Sequence, residues 1–96
     1  MLFEWDEAKR QANITKHGLD LIDAKGLFDG RPTVTAPSPR DGELRFVSVG
    51  LIGQEFFAII WTERDEATRL ISFRRARDGE KRSYRARFGR GGSGDA

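Results

Sequence analysis

The chain has 96 residues, with 17 Lys and Arg against 15 Asp and Glu, a formal net charge of +2 and 38% hydrophobic residues. This length provides one domain with a modest core, and the hydrophobic content excludes a disordered chain. The absence of Cys excludes disulfides and thiolate metal sites. Without a recognisable signal peptide or an apolar run of spanning length, the sequence predicts a small cytoplasmic protein outside the membrane.

The chain begins with a predicted strand and helix. Residues 1–5 alternate apolar and polar side chains, as a short edge strand does. Asp6 offers a carboxylate that can cap a helix over residues 7–16, and Gly18 supplies the left-handed residue that ends many helices.

A second helix and a loop follow. Asp20 is a good helix cap, and this helix is expected to end near Asp29 and Gly30. Residues 31–42 contain all three prolines. They therefore form a loop that holds at most one short edge strand, around residues 33–36.

The second half of the chain predicts a meander of three strands followed by a helix. Residues 44–50 and 55–62 are rich in Phe, Val and Ile, and the Gly53-Gln54 pair between them suits a tight hairpin. Residues 69–76 form the third strand and residues 78–88 the helix.

These elements predict an α+β fold, with two N-terminal helices and one C-terminal helix on an antiparallel sheet of about four strands. Residues 1–88 make the single domain, and residues 89–96 are a flexible Gly-rich tail.

The pleat sorts the strand residues into two faces if Gly50 pairs with Glu55 and Thr62 with Arg69. Phe73 then shares a face with Val47 and Ile60, and Arg74 lies on the opposite face. The helices cover one face, and the other stays partly open as the surface on which we expect a ligand site.

Charge is concentrated near the C-terminus. Residues 69–90 contain nine basic residues and two acidic ones, a formal charge of +7. Eight of the nine are Arg, which binds phosphate in a bidentate way, so nucleic acid is the leading candidate ligand. The alternative is a solvated basic helix that keeps the protein soluble or meets an acidic partner.

The residues available for catalysis are few. His17 is the single histidine, so zinc hydrolases, thiol proteases and two-metal nucleases have little support. RNA cleavage without a metal needs only alignment of the ribose hydroxyl, proton transfer and stabilisation of charge on phosphorus. The proton acceptor could be His17, Glu63 or a polarised water, and Tyr84 or Lys16 could assist the leaving group.

Several motifs follow one another in a specific order and spacing. They are Phe3-x-Trp5-Asp6-x-x-Lys9, Asn13-x-x-Lys16-His17-Gly18, Ala24 with Phe28, Thr62-Glu63-Arg64, Arg69-Leu70-Ile71-Ser72-Phe73-Arg74-Arg75-Ala76, and Glu80 with Tyr84. Together they closely resemble the BrnT family of toxins of type II toxin–antitoxin modules. Phe73 is a departure, because the family usually has a small residue there.

The resemblance implies a ribonuclease toxin of RelE-like fold that cleaves RNA as a metal-independent endoribonuclease, without a cofactor, and so inhibits translation and growth. It also implies a BrnA-like ribbon-helix-helix antitoxin, a heterotetramer of two toxins and two antitoxins, and contact with operator DNA only through the antitoxin.

The resemblance also suggests site residues by position. Arg64 and Arg74 are the main candidates for binding phosphate or stabilising the transition state, and His17 and Tyr84 join them as catalytic candidates. The RNA-binding candidates are Lys9, Lys16, Arg69 and Arg75. The alternative function is a non-catalytic basic module that binds an antitoxin or nucleic acid without cutting it.

Overall fold

The computed structural model describes residues 1–89, in which five strands form one mixed sheet with helices on both faces. The elements in chain order are β1 (Leu2–Trp5), α1 (Glu7–His17), a 3-10 helix (Leu21–Phe28), β2 (Thr33–Pro37), β3 (Phe46–Ile52), β4 (Glu55–Arg64), β5 (Ala67–Arg75) and α2 (Asp78–Phe88). Apart from Gly89, the predicted tail of residues 89–96 lies outside the described residues.

The α+β class is confirmed, but the expected antiparallel sheet of about four strands is wrong. The strand order is β1-β5-β4-β3-β2, and β1 runs parallel to β5 while the other neighbours are antiparallel. The meander β3-β4-β5 follows from local hairpin signals. The parallel pairing of β1 joins residues more than sixty positions apart, for which the sequence carries no local signal.

The second N-terminal helix is a 3-10 helix, whereas the sequence predicted an ordinary helix. Leu21, Ala24 and Leu27 are its buried residues. They are spaced three apart, and a 3-10 helix has three residues per turn, so this geometry puts all of them on one face. Asp20 caps it as predicted, by accepting a hydrogen bond from the Ile22 N–H.

α1 matches its predicted bounds and caps within one residue. The Asp6 side chain accepts from the backbone N–H groups of Ala8 and Lys9, and Gly18 ends the helix at φ 69°. Asn13 is the one buried residue of this polar helix. Helix α1 must therefore be held by a polar contact instead of an apolar stripe.

That contact joins Asn13 to the backbone of β5. The Asn13 Oδ1 accepts from the Phe73 N–H at 2.9 Å, and Asn13 Nδ2 donates at 2.8 Å to each of the Phe73 and Leu19 carbonyls. The pairing of β1 with β5 ends at Trp5 and Leu70. Beyond this point the Asn13 amide takes the place of a neighbouring strand and fixes α1 to the edge of the sheet.

A β-bulge in β5 changes which residues face which way. Ile60 pairs with Ser72 but Trp61 pairs with Leu70, so Ile71 is an extra residue. The side chains of the residues beyond the bulge therefore point to the face opposite to the one that they would have in a regular ladder. The predicted faces of Phe73 and Arg74 are therefore wrong. Arg74 shares a face with Val47, and Phe73 lies on the opposite face.

The hairpin registers were partly predicted. Thr62 pairs with Arg69 as expected, but Gly50 pairs with Phe57 and not with Glu55. The β3-β4 hairpin extends two residues further, to its Gly53-Gln54 loop. Since the shift is an even number of residues, the predicted faces of β3 and β4 are unchanged.

The two faces carry different layers. On the first face, the 3-10 helix packs on a core that includes Leu21, Ile59 and Phe73, and α1 lies against β5 and the 3-10 helix. On the second face, α2 packs against β2 and β3, with Tyr84 on Val49. No helix within residues 1–89 is long and apolar enough to cross a membrane.

Candidate active site

A groove of about 460 Å³ lies on the second face of the sheet, on the part beside α2. Its apolar floor is formed by Val47, Ile60 and Ile71. The walls come from α1, from the connection between β2 and β3, and from the junction of β5 with α2. These walls contribute Lys9, Ala12, Asn13, Lys16 and His17; then Ser38, Arg40 and Arg45; and then Ser72, Arg74 and Arg77. The prediction that the helices cover only one face is wrong, because α2 packs on this second face, and the groove occupies a part beside it.

The groove is lined by side chains of one sign. Six of its lining residues are Lys or Arg and a seventh is His17, and no Asp or Glu is among them. A cleft lined by one sign of charge over apolar walls concentrates the electric field and attracts counter-ions. The groove therefore favours an anion over a cation, although Arg45 and Arg74 are already paired with Glu43 and Glu80.

The wall formed by α1 follows from helical spacing. Lys9, Asn13 and Lys16 stand at i, i+4 and i+7, so they lie on one face of the helix. Because Asn13 is fixed to β5, the two lysines on the same face are brought over the groove. Both lysines are exposed, and neither takes part in an ion pair within residues 1–89.

His17 ends α1 and is half-buried. Burial lowers the pKa of its imidazole, and the positive charges of Lys16 and Arg74 lower this pKa further. At neutral pH His17 is therefore uncharged and can accept a proton. This is the protonation state that a general base requires.

Arg74 lines the groove but is paired at its far end. Its two terminal nitrogens donate to the two carboxylate oxygens of Glu80 at 2.8 and 2.9 Å, and its side chain is 13% exposed. Glu80 also accepts from the Arg77 N–H at 2.8 Å, and the hydrogen bond from Arg74 is the main cause of its lowered pKa. The pair joins the end of β5 to the start of α2 and so fixes one end of the groove.

Three lining arginines are absent from the predicted site: Arg40, Arg45 and Arg77. The β2-β3 connection folds as a hairpin end, in which the Arg40 N–H donates to the Glu43 carbonyl across Asp41 and Gly42. An Asp-Gly pair is a strong hairpin signal, so this turn could have been found from the sequence. The approach of Arg40 to α1 depends on tertiary structure and has no local signal.

The structure brings together half of the predicted site residues. Lys9, Lys16, His17 and Arg74 line one groove. The other four lie elsewhere: Arg64 is 3.4 Å from Glu43, Arg69 is 3.0 Å from Glu4, Arg75 is 3.3 Å from Glu55, and Tyr84 is buried against Phe56 and Phe88 with 3% exposure.

The described residues offer few side chains that are grouped to bind a metal ion. Within residues 1–89, no three His, Asp or Glu side chains come together as they would to hold a metal ion. The groove instead offers cationic donors and one neutral imidazole. Such a set suits binding of a phosphate and transfer of a proton.

Comparison with known proteins gives one positive result. A search of curated proteins finds no match. Residues 5–80 match the family model described as ribonuclease toxin, BrnT, of type II toxin-antitoxin system. This segment includes every residue that lines the groove. Because the match covers most of the 96 residues, the chain belongs to the BrnT family of ribonuclease toxins of type II toxin–antitoxin systems.

Proposed function

We propose that this toxin is a metal-independent endoribonuclease that binds a single RNA strand in the basic groove. The observation that supports the proposal is the groove itself, where six Lys and Arg side chains surround a neutral His17 and no carboxylate lines the wall. A polyanion enters such a site without meeting like charge, and the imidazole is ready to accept a proton.

Substrate binding divides between the rim and the floor. Lys9, Lys16, Arg40 and Arg77 belong to no ion pair within residues 1–89. Their donors are free for phosphate oxygens. The apolar floor accepts the flat face of a ribose or base. A volume of about 460 Å³ suits one nucleotide unit of a single strand and not a duplex.

The proposed reaction uses the substrate's own hydroxyl. His17 takes the proton of the ribose 2′-hydroxyl, and the 2′ oxygen attacks the adjacent phosphorus. The bond from phosphorus to the 5′ oxygen breaks, and this oxygen takes a proton from the Lys16 ammonium. The products are a 2′,3′-cyclic phosphate and a free 5′-hydroxyl. Arg40 and Arg77 stabilise the extra negative charge on the phosphoryl oxygens in the transition state.

The remaining predicted site residues have no chemical role in this proposal. Arg64, Arg69 and Arg75 are each engaged by a carboxylate outside the groove, and Tyr84 is a core residue. Arg74 acts at short range on the imidazole, since its charge lowers the pKa of His17.

The proposal extends to the partners of the toxin. Membership of the family implies an RNA substrate and an antitoxin. We assign the antitoxin to the BrnA-like ribbon-helix-helix class, with a complex of two toxins and two antitoxins that contacts operator DNA through the antitoxin. The cytoplasm is the proposed place of action. A RelE-like arrangement of the fold is part of the same proposal, supported by helices that pack on the antiparallel strands β3 to β5.

The test is cleavage of a 5′-labelled RNA oligonucleotide in excess chelator. We expect cleavage to continue and to leave 2′,3′-cyclic phosphate ends. An oligonucleotide with a 2′-deoxyribose at the cleaved position should resist. Loss of cleavage with chelator, or equal cleavage of the deoxy substrate, would contradict the mechanism. Binding of RNA without cleavage would support the non-catalytic module instead.

A further inference from the structure

Helix α2 carries a basic surface that the proposed chemistry does not use. Lys81, Arg82, Arg85 and Arg87 lie on this helix, and none forms an ion pair within residues 1–89. By contrast, the arginines that do form ion pairs are Arg10, Arg31, Arg45, Arg64, Arg69, Arg74 and Arg75. The cations left without a carboxylate are thus concentrated on α2 and around the groove.

The cations of α2 begin close to the groove. Lys81 and Arg85 stand at i and i+4 of α2, about 6 Å apart along its axis, and Arg77 is the N-cap residue just before the helix. Arg77 lines the groove. The groove therefore adjoins the start of the helix that carries Lys81 and Arg85.

Two of these arginines are ordered by aromatic rings. The Arg85 guanidinium lies over the Phe56 ring at 5.0 Å, and that of Arg87 over the Phe88 ring at 4.9 Å. Both rings pack against Tyr84, which is buried. Stacking restrains a guanidinium but leaves the N–H donors at its edge free. These side chains are therefore restrained before a ligand binds, so binding costs them less conformational entropy.

The charges of α2 are not balanced within the helix. Its two acidic residues are Asp78 and Glu80, and Glu80 is engaged by Arg74. The exposed residues of the last two turns are Arg82, Ser83, Arg85, Ala86 and Arg87, so this surface has no large apolar side chain. A protein interface usually has an apolar centre. A flexible polyanion needs only the row of cations.

We propose that α2 is a second RNA-binding surface, which holds the backbone of the strand beyond the nucleotide in the groove. The inference rests on the proposed function for the identity of the ligand. Binding there involves phosphates, so it is independent of base sequence and acts on affinity without touching the reacting atoms.

The experiment compares two variants on RNA of two lengths. The α2 variant is Lys81→Gln/Arg82→Gln/Arg85→Gln, which removes three positive charges. The control is Lys25→Glu/Gln54→Glu, which lowers the net charge by the same three units at exposed positions of the 3-10 helix and the β3-β4 turn. The probes are a 4-mer and a 12-mer of 2′-O-methyl RNA, which cannot be cleaved, and their dissociation constants are measured by fluorescence anisotropy.

We expect the α2 variant to bind the 12-mer about 10-fold more weakly and the 4-mer within about 2-fold of the wild type. The slope of log Kd against log salt for the 12-mer should fall by about 2, since each lost phosphate contact on a single strand accounts for about 0.7. The control should bind both probes within about 2-fold of the wild type. Circular dichroism confirms that both variants are folded.

Equal weakening for both lengths, or no weakening, would overturn the proposal. Unchanged RNA binding with loss of antitoxin binding would overturn it too, because α2 would then be a protein-binding surface. These probes report binding alone. Failure of the proposed function appears separately, as absence of cleavage by the wild-type protein, and leaves this comparison intact.

Discussion

The arginines of the β4-β5 hairpin and the cations around the groove and on α2 carry the same charge, but their surroundings differ. Arg64, Arg69 and Arg75 each face a carboxylate. Lys16 and Arg77 form no ion pair within residues 1–89. Charge counted along a sequence is therefore not the charge that a ligand meets.

The difference has a structural origin. In a sheet, residues opposite each other on neighbouring strands are in contact, and Glu4 is the register partner of Arg69. Strand pairing thus supplies the carboxylate of Arg69, whereas Arg75 meets Glu55 at the start of β4 and Arg64 meets Glu43 of the β2-β3 connection. Such exposed pairs contribute little stability, but they neutralise the local field. On α1, Arg10 is paired with Glu7 and Asp20, but Lys9 and Lys16 form no ion pair within residues 1–89 and remain available.

The sharpest test of this comparison removes two cations from one group or from the other. Lys16→Ala/Arg77→Ala removes two free groove cations, and Arg64→Ala/Arg75→Ala removes two paired hairpin cations. We expect kcat/KM on an RNA oligonucleotide to fall more than about 100-fold in the first variant, because transition-state stabilisation is lost, and less than about 3-fold in the second. Thermal unfolding checks that both fold. Equal losses would remove the distinction between the groups.

Asn13→Ala tests how the free cations are positioned. The change leaves the Phe73 N–H and carbonyl without partners in a buried place, since the Asn13 side chain is 5% exposed. We expect the free energy of unfolding, measured with urea, to fall by about 2 to 4 kcal/mol. Thr15→Ala, at an exposed position of the same helix, should change it by less than about 0.5 kcal/mol. Similar effects would show that α1 is held by other contacts.

Arg74, which pairs with Glu80, and Arg45, which pairs with Glu43, are the paired cations that line the groove, and pH dependence tests the role of Arg74. Burial, Lys16 and Arg74 lower the pKa of His17 below its usual 6.5. The double variant Arg74→Gln/Glu80→Gln lacks the positive charge of Arg74, so the pKa of His17 should rise. Cleavage at pH 6 should then fall, because more of the base is protonated.

Proton NMR of the single histidine measures this pKa directly. In the wild type, the acid limb of kcat/KM should have its midpoint below pH 6.5. Arg75→Gln is the matched control, since Arg75 pairs with Glu55 outside the groove and is not a cause of the shift. A lower pKa in the double variant would contradict the assigned role of Arg74.

The smallest expected effect concerns a paired cation far from the groove. Arg10 donates two hydrogen bonds to Asp20, and they are the main cause that lowers the Asp20 pKa from 3.8 to about 2. A carboxylate with a lowered pKa stabilises the fold above its unfolded pKa, and this contribution is lost as pH falls towards its folded pKa.

Asp20→Asn keeps the helix cap but removes the charge. It should cost about 1 kcal/mol or less at pH 7, given the solvent exposure of the pair. The difference from wild type in urea unfolding should vanish near pH 2. Asp23→Asn, at an exposed position outside any ion pair of residues 1–89, is the control. A difference that persisted at pH 2 would show that the charge is not its cause.

Local features of the fold could be predicted, and non-local ones could not. The bounds of α1 follow from Asp6 and Gly18, since caps act within a few residues. The bulge at Ile71 has no sequence signal, because register depends on two strands at once. One extra residue was enough to reverse the predicted faces of Phe73 and Arg74.

The candidate site likewise contains residues that could be predicted from the sequence and residues that could not. Lys9, Lys16 and His17 were named because the motifs that resemble the BrnT family contain them, and they lie on one helix. Arg40 and Arg77 were missed, since the approach of two distant segments to that helix is a property of tertiary structure. The pairing that sets Arg64 apart from the groove also depends on a segment twenty-one residues away, and only the folded chain reveals it.

The contact of Asn13 with Phe73 has a consequence for solubility. An uncovered sheet edge is a row of open amide and carbonyl groups on which a second chain can add its own strand. Past the end of β1, the asparagine amide closes this edge and the body of α1 shields it. A toxin molecule that lost this closure would present a template for aggregation, so the same side chain that aligns the lysines also keeps neighbouring copies from joining sheets.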